Sequence, residues 1–194
     1  MDLKDYIRSI KDYPKKGILF RDITTLIKNE TAFEETINQI VERSKKFKVD
    51  KIAAIESRGF VFASAVSYIL KKPFIMLRKK NKLPADVHSV DFNLEYGTAT
   101  IEVHKDSISE NDSVLIIDDL IATGGTAEAA AKLVEVSKGN IAAFIFVINL
   151  FDLGGCDNLL KKGYKVENLM DFPGHWCGSG KWDRTTDLGL MSPA

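Results

Sequence analysis

The chain has 194 residues, 45% of them hydrophobic and 28% charged, which suits one domain with a buried core of ordinary size. Its 27 basic and 27 acidic side chains cancel and the sequence pI is near 6.8, which argues against a nucleic-acid-binding surface or a polybasic membrane anchor. Cys156 and Cys177 make neither a disulfide framework nor a metal-ligand spacing, the first residues lack a signal-peptide pattern, and the apolar run 141–148 is too short to span a bilayer. A reduced, cytoplasmic location is expected.

In chain order, residues 1–30 contain Pro14, Gly17 and an aromatic–acidic stretch around Phe20, and are expected to form a small hood. Thr31-Ala32-Phe33-Glu34 reads as a capping box, with Thr31 as the cap of a helix whose Phe33, Ile37, Ile40 and Val41 share one face. Lys51–Ile55 and 74–77 read as buried strands with a helix over 60–70 between them. Residues 79–95 form a lysine-rich polar connection longer than joining requires, expected to be a mobile functional loop. The stretch 98–104 alternates, with Ala99, Ile101 and Val103 on one face, as a returning strand would. Further buried strands at 114–117 and 141–148 enclose a helix over 126–138, stopped by Gly139. This order predicts an α/β fold: an open, mainly parallel sheet covered by helices on both faces.

The most informative run is Val114-Leu115-Ile116-Ile117-Asp118-Asp119-Leu120-Ile121-Ala122-Thr123-Gly124-Gly125-Thr126. A buried strand ends in two acids, followed by a small-residue turn and a helix. Adjacent carboxylates there can accept hydrogen bonds from vicinal ribose hydroxyls. The turn 122–126 lets main-chain N–H groups approach a phosphate at the positive end of the next helix, while Thr123 and Thr126 offer hydroxyls. A plain strand, Gly-Gly turn and helix would leave the same fragment, so the reading needs more than this stretch. There is no Gly-x-x-x-x-Gly-Lys-Ser/Thr and no Gly-x-Gly-x-x-Gly after a strand, which sets aside a P-loop and a dinucleotide fold. Elsewhere, Ser57-Arg58-Gly59 opens a helix after a strand and either offers N–H groups and a guanidinium to pyrophosphate or is a plain turn capped by Ser57, and Arg78, Lys79 and Lys82 are either cations for a polyanion or a solvated charge run.

The thirteen-residue run resembles the phosphoribosyl pyrophosphate (PRPP) signature of the type I phosphoribosyltransferases. Phe20-Arg21-Asp22-Ile23, Glu56-Ser57-Arg58-Gly59-Phe60, Arg78-Lys79-Lys80-Asn81-Lys82-Leu83-Pro84 and Leu94-Glu95-Tyr96-Gly97 are similar, in order, to motifs of the adenine phosphoribosyltransferase family, over roughly residues 5–175. The resemblance implies a homodimeric, magnesium-dependent enzyme of purine salvage that joins adenine to PRPP, with no metal ligated directly by the protein. It implies that Asp118, Asp119, Ala122, Thr123, Gly124, Gly125 and Thr126 hold ribose and 5′-phosphate. Ser57, Arg58, Gly59, Arg78, Lys79 and Lys82 would take pyrophosphate, with Arg78 offered to the partner subunit. Adenine would stack on Phe20 and be read by main-chain groups of Leu19 and Arg21. Glu95, Lys79 and Arg58 would be catalytic, Glu95 as general acid or base. A phosphoribosyltransferase for another base, or a PRPP-sensing regulator, are the alternatives; no helix-turn-helix or basic surface speaks for the regulator. Residues 176–194 match nothing in the family and are expected to be an appended tail.

Overall fold

The computed structural model describes residues 1–94 and 97–175. A 3-10 turn over Leu3–Tyr6 leads into a two-stranded antiparallel hood of β1 (Arg8–Lys11) and β2 (Leu19–Asp22), and α1 (Thr24–Ile27) and α2 (Glu30–Ser44) follow. The body then runs β3 (Lys51–Ile55), α3 (Gly59–Leu70), β4 (Phe74–Lys79), β5 (Val87–Leu94), β6 (Gly97–His104), β7 (Ser113–Ile121), α4 (Gly125–Val136), β8 (Asn140–Leu150), α5 (Gly155–Lys161) and β9 (Val166–Phe172). Seven strands form one sheet in the order β5-β6-β4-β3-β7-β8-β9. The five from β4 to β9 are parallel, and the β5–β6 hairpin joins antiparallel at the β4 edge. The expected mainly parallel sheet is therefore the one observed.

Two cores lie on its two faces. One gathers Ile37 and Ile40 of α2, Phe62 and Val66 of α3, and Leu115, Ile117, Ile145 and Val147 of the sheet. The other packs Ala130, Leu133 and Val134 of α4 against Ile75, Leu77, Ile116, Phe144 and Phe146. Full burial of each large apolar side chain contributes roughly 1.5–3 kcal/mol. Because β3, β7 and β8 are covered on both sides, their sequences are apolar without alternation.

Three expectations shift. The connection 79–95 is strand from Val87 to Leu94, with Val90 and Phe92 packed on the second core opposite Ile101 and Ala99. Val90 and Phe92 alternate with exposed Ser89 and Asp91, a strand pattern that the lysine-rich residues before it obscure in the sequence. The helix expected over 126–138 ends at Val136; Lys138, at φ 62°, takes the left-handed conformation while the Gly139 N–H closes on the Val134 carbonyl. Finally, Thr31 is not a cap: α2 begins at Glu30, and the Asn29 side chain accepts from the Ala32 N–H at 2.9 Å. Asn caps as well as Thr does, and the chain turns two residues earlier than the capping-box pattern suggests. Asn29→Ala should therefore cost about 1 kcal/mol of stability and Thr31→Ala only a few tenths, measured by urea unfolding of both variants.

Candidate active site at the carboxyl edge of the sheet

Strands β3 and β7 are parallel neighbours, with Ala54 opposite Ile117. Chain direction therefore delivers the segment after β3 and the end of β7 to the same edge, side by side. They line one open cleft of about 230 Å³, formed by Ile55, Glu56, Ser57, Arg58, residues 118–127 and Phe146. Of the residues singled out by sequence, Ser57, Arg58, Asp118, Asp119, Ala122, Thr123, Gly124, Gly125 and Thr126 meet there. Asp118 and Asp119 do not end the strand as expected. β7 continues to Ile121, pairing Asp118 with Phe146, Leu120 with Ile148 and Ile121 with Asn149, so the acids are held by the ladder with β8.

Burial raises the carboxyl of Asp118 well above the ordinary carboxylate range, and the adjacent Asp119 adds to the effect. Asp119 is also raised by burial, opposed by Arg58, whose Nε stands 3.0 Å from its Oδ2. That contact is an ion pair without hydrogen-bond alignment: Asp119 Oδ2 is buried and has no hydrogen-bond donor on the protein. Asp118 Oδ1 accepts from the Asp119 N–H at 2.9 Å. The pyrophosphate-loop candidate Gly59 is pressed against this pair. A Cβ at Gly59 would lie 2.6 Å from Asp118 Oδ1 and 3.0 Å from the Ile117 carbonyl, so no larger residue fits without moving the acid.

The turn from β7 into α4 has the features of an anion cradle. Gly124 precedes the helix at φ 92° and supplies no side-chain cap, and Gly125, Thr126 and Ala127 of the first turn line the cleft. First-turn N–H groups lack intrahelical partners, and the helix dipole adds positive potential. Gly155, which the sequence reading passed over, backs this turn. Its N–H donates to the Ala122 carbonyl at 3.0 Å, and a Cβ there would lie 2.3 Å from that carbonyl. Its only sequence signal is the Gly154-Gly155 pair after an apolar strand.

The other candidates lie around the cleft. Phe20 of β2 has its ring 5.9 Å from the Arg58 guanidinium carbon and packs edge-on against Tyr13, with ring centroids 5.2 Å apart. Along β2 the main-chain groups of Leu19 and Arg21 face away from β1, and the Leu19 N–H donates to the Gly174 carbonyl at 3.3 Å. The Arg21 side chain is buried and points elsewhere, its guanidinium 4.5 Å above the Phe172 ring. Arg78 is held by Glu56, with Nε 3.3 Å from Oε2, and its Nη1 donates to the Lys82 carbonyl. The Lys79 N–H donates to the same carboxylate at 3.0 Å. Lys79 and Lys82 do not line the cleft. Glu95 lies outside the described residues. Glu56 is thus the joint between the 56–59 segment and the end of β4. The Lys79 N–H, working against burial and helped by Arg78, holds its carboxyl below the ordinary value. It stands within a motif quoted above, yet its partners are 22 and 23 residues away and leave no local trace.

A family profile for the phosphoribosyl transferase domain matches residues 22–164. An adenine phosphoribosyltransferase of Pelagibacter ubique (strain HTCC1062) is 85% identical over 175 residues, 90% of this chain and all of that one. The chain belongs to the adenine phosphoribosyltransferase family. The adenine phosphoribosyltransferase of Thermoanaerobacter pseudethanolicus superposes with a TM-score of 0.85 at 44% identity, covering 88% of this chain and 98% of that one. The Saccharomyces cerevisiae adenine phosphoribosyltransferase, solved with an imino-altritol bisphosphate and adenine, superposes with a TM-score of 0.80 at 34% identity, covering 87% and 96%.

The buried acids also set a measurable cost in stability. With its carboxyl raised, folded Asp118 releases its proton at a higher pH than the unfolded chain does. Its stabilising contribution is complete below about pH 4, the unfolded value, and is lost as pH rises through the folded value. Asp118→Asn should therefore melt at a higher temperature than the unsubstituted protein at neutral pH, with the gap closing towards pH 4. Calorimetry across that range checks it.

Proposed function

We propose that this cleft carries out the family's reaction, moving the 5-phosphoribosyl group of PRPP to adenine and releasing pyrophosphate, with AMP as product. The chain is in this sense a transferase of purine salvage. The observation that carries the reading is the joining of two adjacent carboxylates, an uncapped helix amino end and an arginine-bearing loop around one cleft.

Asp118 and Asp119 hold the ribose hydroxyls. The main-chain N–H groups of 122–126, with the Thr123 and Thr126 hydroxyls, hold the 5′-phosphate. Departure of pyrophosphate leaves positive charge on the anomeric carbon and negative charge on the leaving group. Ser57, Arg58 and Gly59 face that negative charge, and Arg78, Lys79 and Lys82 add cations to it, with Arg78 reaching the partner subunit's site. The pairing of Arg58 with buried Asp119 supports a shared task, because the ion pair holds the guanidinium at the ribose end of the cleft. Adenine lies against Phe20, with main-chain groups of Leu19 and Arg21 at its edge and Glu95 moving the base proton. Closure of residues 80–86, the part of the lysine-rich connection that is not strand, keeps water from the reactive sugar.

Magnesium is the metal this reading calls for. The donor set fits a hard cation, since Asp118 and Asp119 offer carboxylate oxygens and Asp119 Oδ2 is buried without a hydrogen-bond donor. These acids would hold the ion through ribose hydroxyls and water rather than directly, and bound there it neutralises departing negative charge. A cytoplasmic enzyme fits Cys156, a buried free thiol pushed up to about 12 by burial. The catalytic domain is read as residues 1–175, with 176–194 appended.

Release of pyrophosphate from PRPP, measured against adenine, hypoxanthine, guanine and orotate, should show strong preference for adenine. Asp118→Asn should lower that rate by roughly ten- to a thousandfold, as for loss of one well-placed polar contact. Equal turnover of hypoxanthine and adenine would overturn the assignment of the base.

A homodimer is supported by the outer face of α3. Val61, Ser64 and Tyr68 follow helical spacing on its exposed side, with Tyr68 86% exposed, and the neighbouring strand β4 exposes Met76. Tyr68→Arg should shift the protein from dimer to monomer in light scattering while leaving its melting temperature within a few degrees.

A further inference from the structure

The hood is two four-residue strands, and a pair of that size is marginal without outside support. Its support on the side facing away from β1 is the segment 172–175 at the end of β9. The Leu19 N–H donates to the Gly174 carbonyl, and Ile18 forms a bridge with His175. Arg21 Nη2 donates to the Pro173 carbonyl at 2.9 Å and stacks on Phe172. This strap therefore runs along the same edge of β2 that presents the Leu19 and Arg21 main chain.

The strap is itself fastened by one carboxylate. Asp152 sits in the 3-10 turn Phe151–Leu153 between β8 and α5. Its Oδ1 accepts from the Gly174 N–H at 2.6 Å, and its Oδ2 accepts from the His175 N–H at 3.1 Å and lies 3.0 Å from His175 Nδ1. Burial works against the charged form, yet these donors hold the carboxyl below its ordinary value. The same turn leads directly into Gly155, which backs the phosphate turn. One short stretch of chain thus touches the support of both ends of the site.

We propose that Asp152 is a positioning residue for the nucleobase, acting through the strap 173–175 to set where β2 presents Phe20 and the Leu19–Arg21 main chain. The inference rests on the reading of Phe20 as the base platform. It makes base affinity depend on a side chain that touches neither base nor ribose phosphate.

The test compares two ligands, AMP and ribose 5-phosphate, which differ by the base, using titration calorimetry on the full chain. Asp152→Ala should weaken AMP about tenfold, the equivalent of one well-placed hydrogen bond, and leave ribose 5-phosphate unchanged. In steady state the KM for adenine should rise while the KM for PRPP holds. Asp152→Asn keeps an acceptor for the Gly174 N–H and should recover most of the loss. Gly174→Ala displaces the strap differently, since its Cβ would lie 2.7 Å from Leu153 Cδ1, and should reproduce the AMP-selective loss. It also carries the test if Asp152→Ala does not fold. Unchanged AMP affinity in both variants, or parallel loss of AMP and ribose 5-phosphate, would overturn the proposal. Phe20→Ala separates the two readings: if it spares AMP, the base platform is wrong, and if it weakens AMP while the Asp152 and Gly174 variants do not, the strap is wrong.

Discussion

The parallel pairing of β3 with β7 is the constraint on which the rest of this protein depends. Their register sets Ala54 against Ile117, so the first residue beyond β3 and the first acid of β7 reach the same edge at nearly the same height. Parallel strands leave the sheet in one direction, and each is followed by a helix whose positive end points back at that edge. The two loops therefore converge without either being long. A slip of one residue would turn Asp118 and Asp119 to the opposite faces of the sheet, and the apolar residues covered on both sides hold the register against it.

What the register brings together is electrostatically unfavourable. Two adjacent carboxylates are buried at the sheet edge, Arg58 neutralises only part of their charge, and Gly59 leaves no room for a side chain between loop and acid. The apolar cores on both faces of the sheet supply the stability that tolerates this. Ligand binding is where the arrangement is useful, because hydroxyls and a cation meet acceptors whose positions are already set. The crowding by Gly59 and Gly155 has the same effect: main chain, which cannot swing away, forms the walls closest to the acids and to the phosphate turn.

Around that centre the supporting contacts come from distant parts of the chain. Glu56 ties the loop after β3 to Arg78 and Lys79 at the end of β4, and Asp152 ties the turn after β8 to the strap beneath the hood. Each is a carboxylate receiving several donors, so each removes freedom from a segment that would otherwise be held by little apolar area.

The amino-acid sequence marks the strands that are buried on both faces, because continuous apolar runs have few other places to go. It also determined the run from Val114 to Thr126, because strand, acids, turn and helix are contiguous there and their chemistry is local. The tertiary structure alone decided that β7 continues past its acids, that residues 87–94 form an edge strand, and that Asn29 rather than Thr31 caps α2. These depend on which neighbour each segment meets. It alone revealed Gly155 and Asp152, and what Glu56 holds, because those roles lie in contacts with residues about twenty or more positions away, and a contact made across the fold leaves no period along the chain.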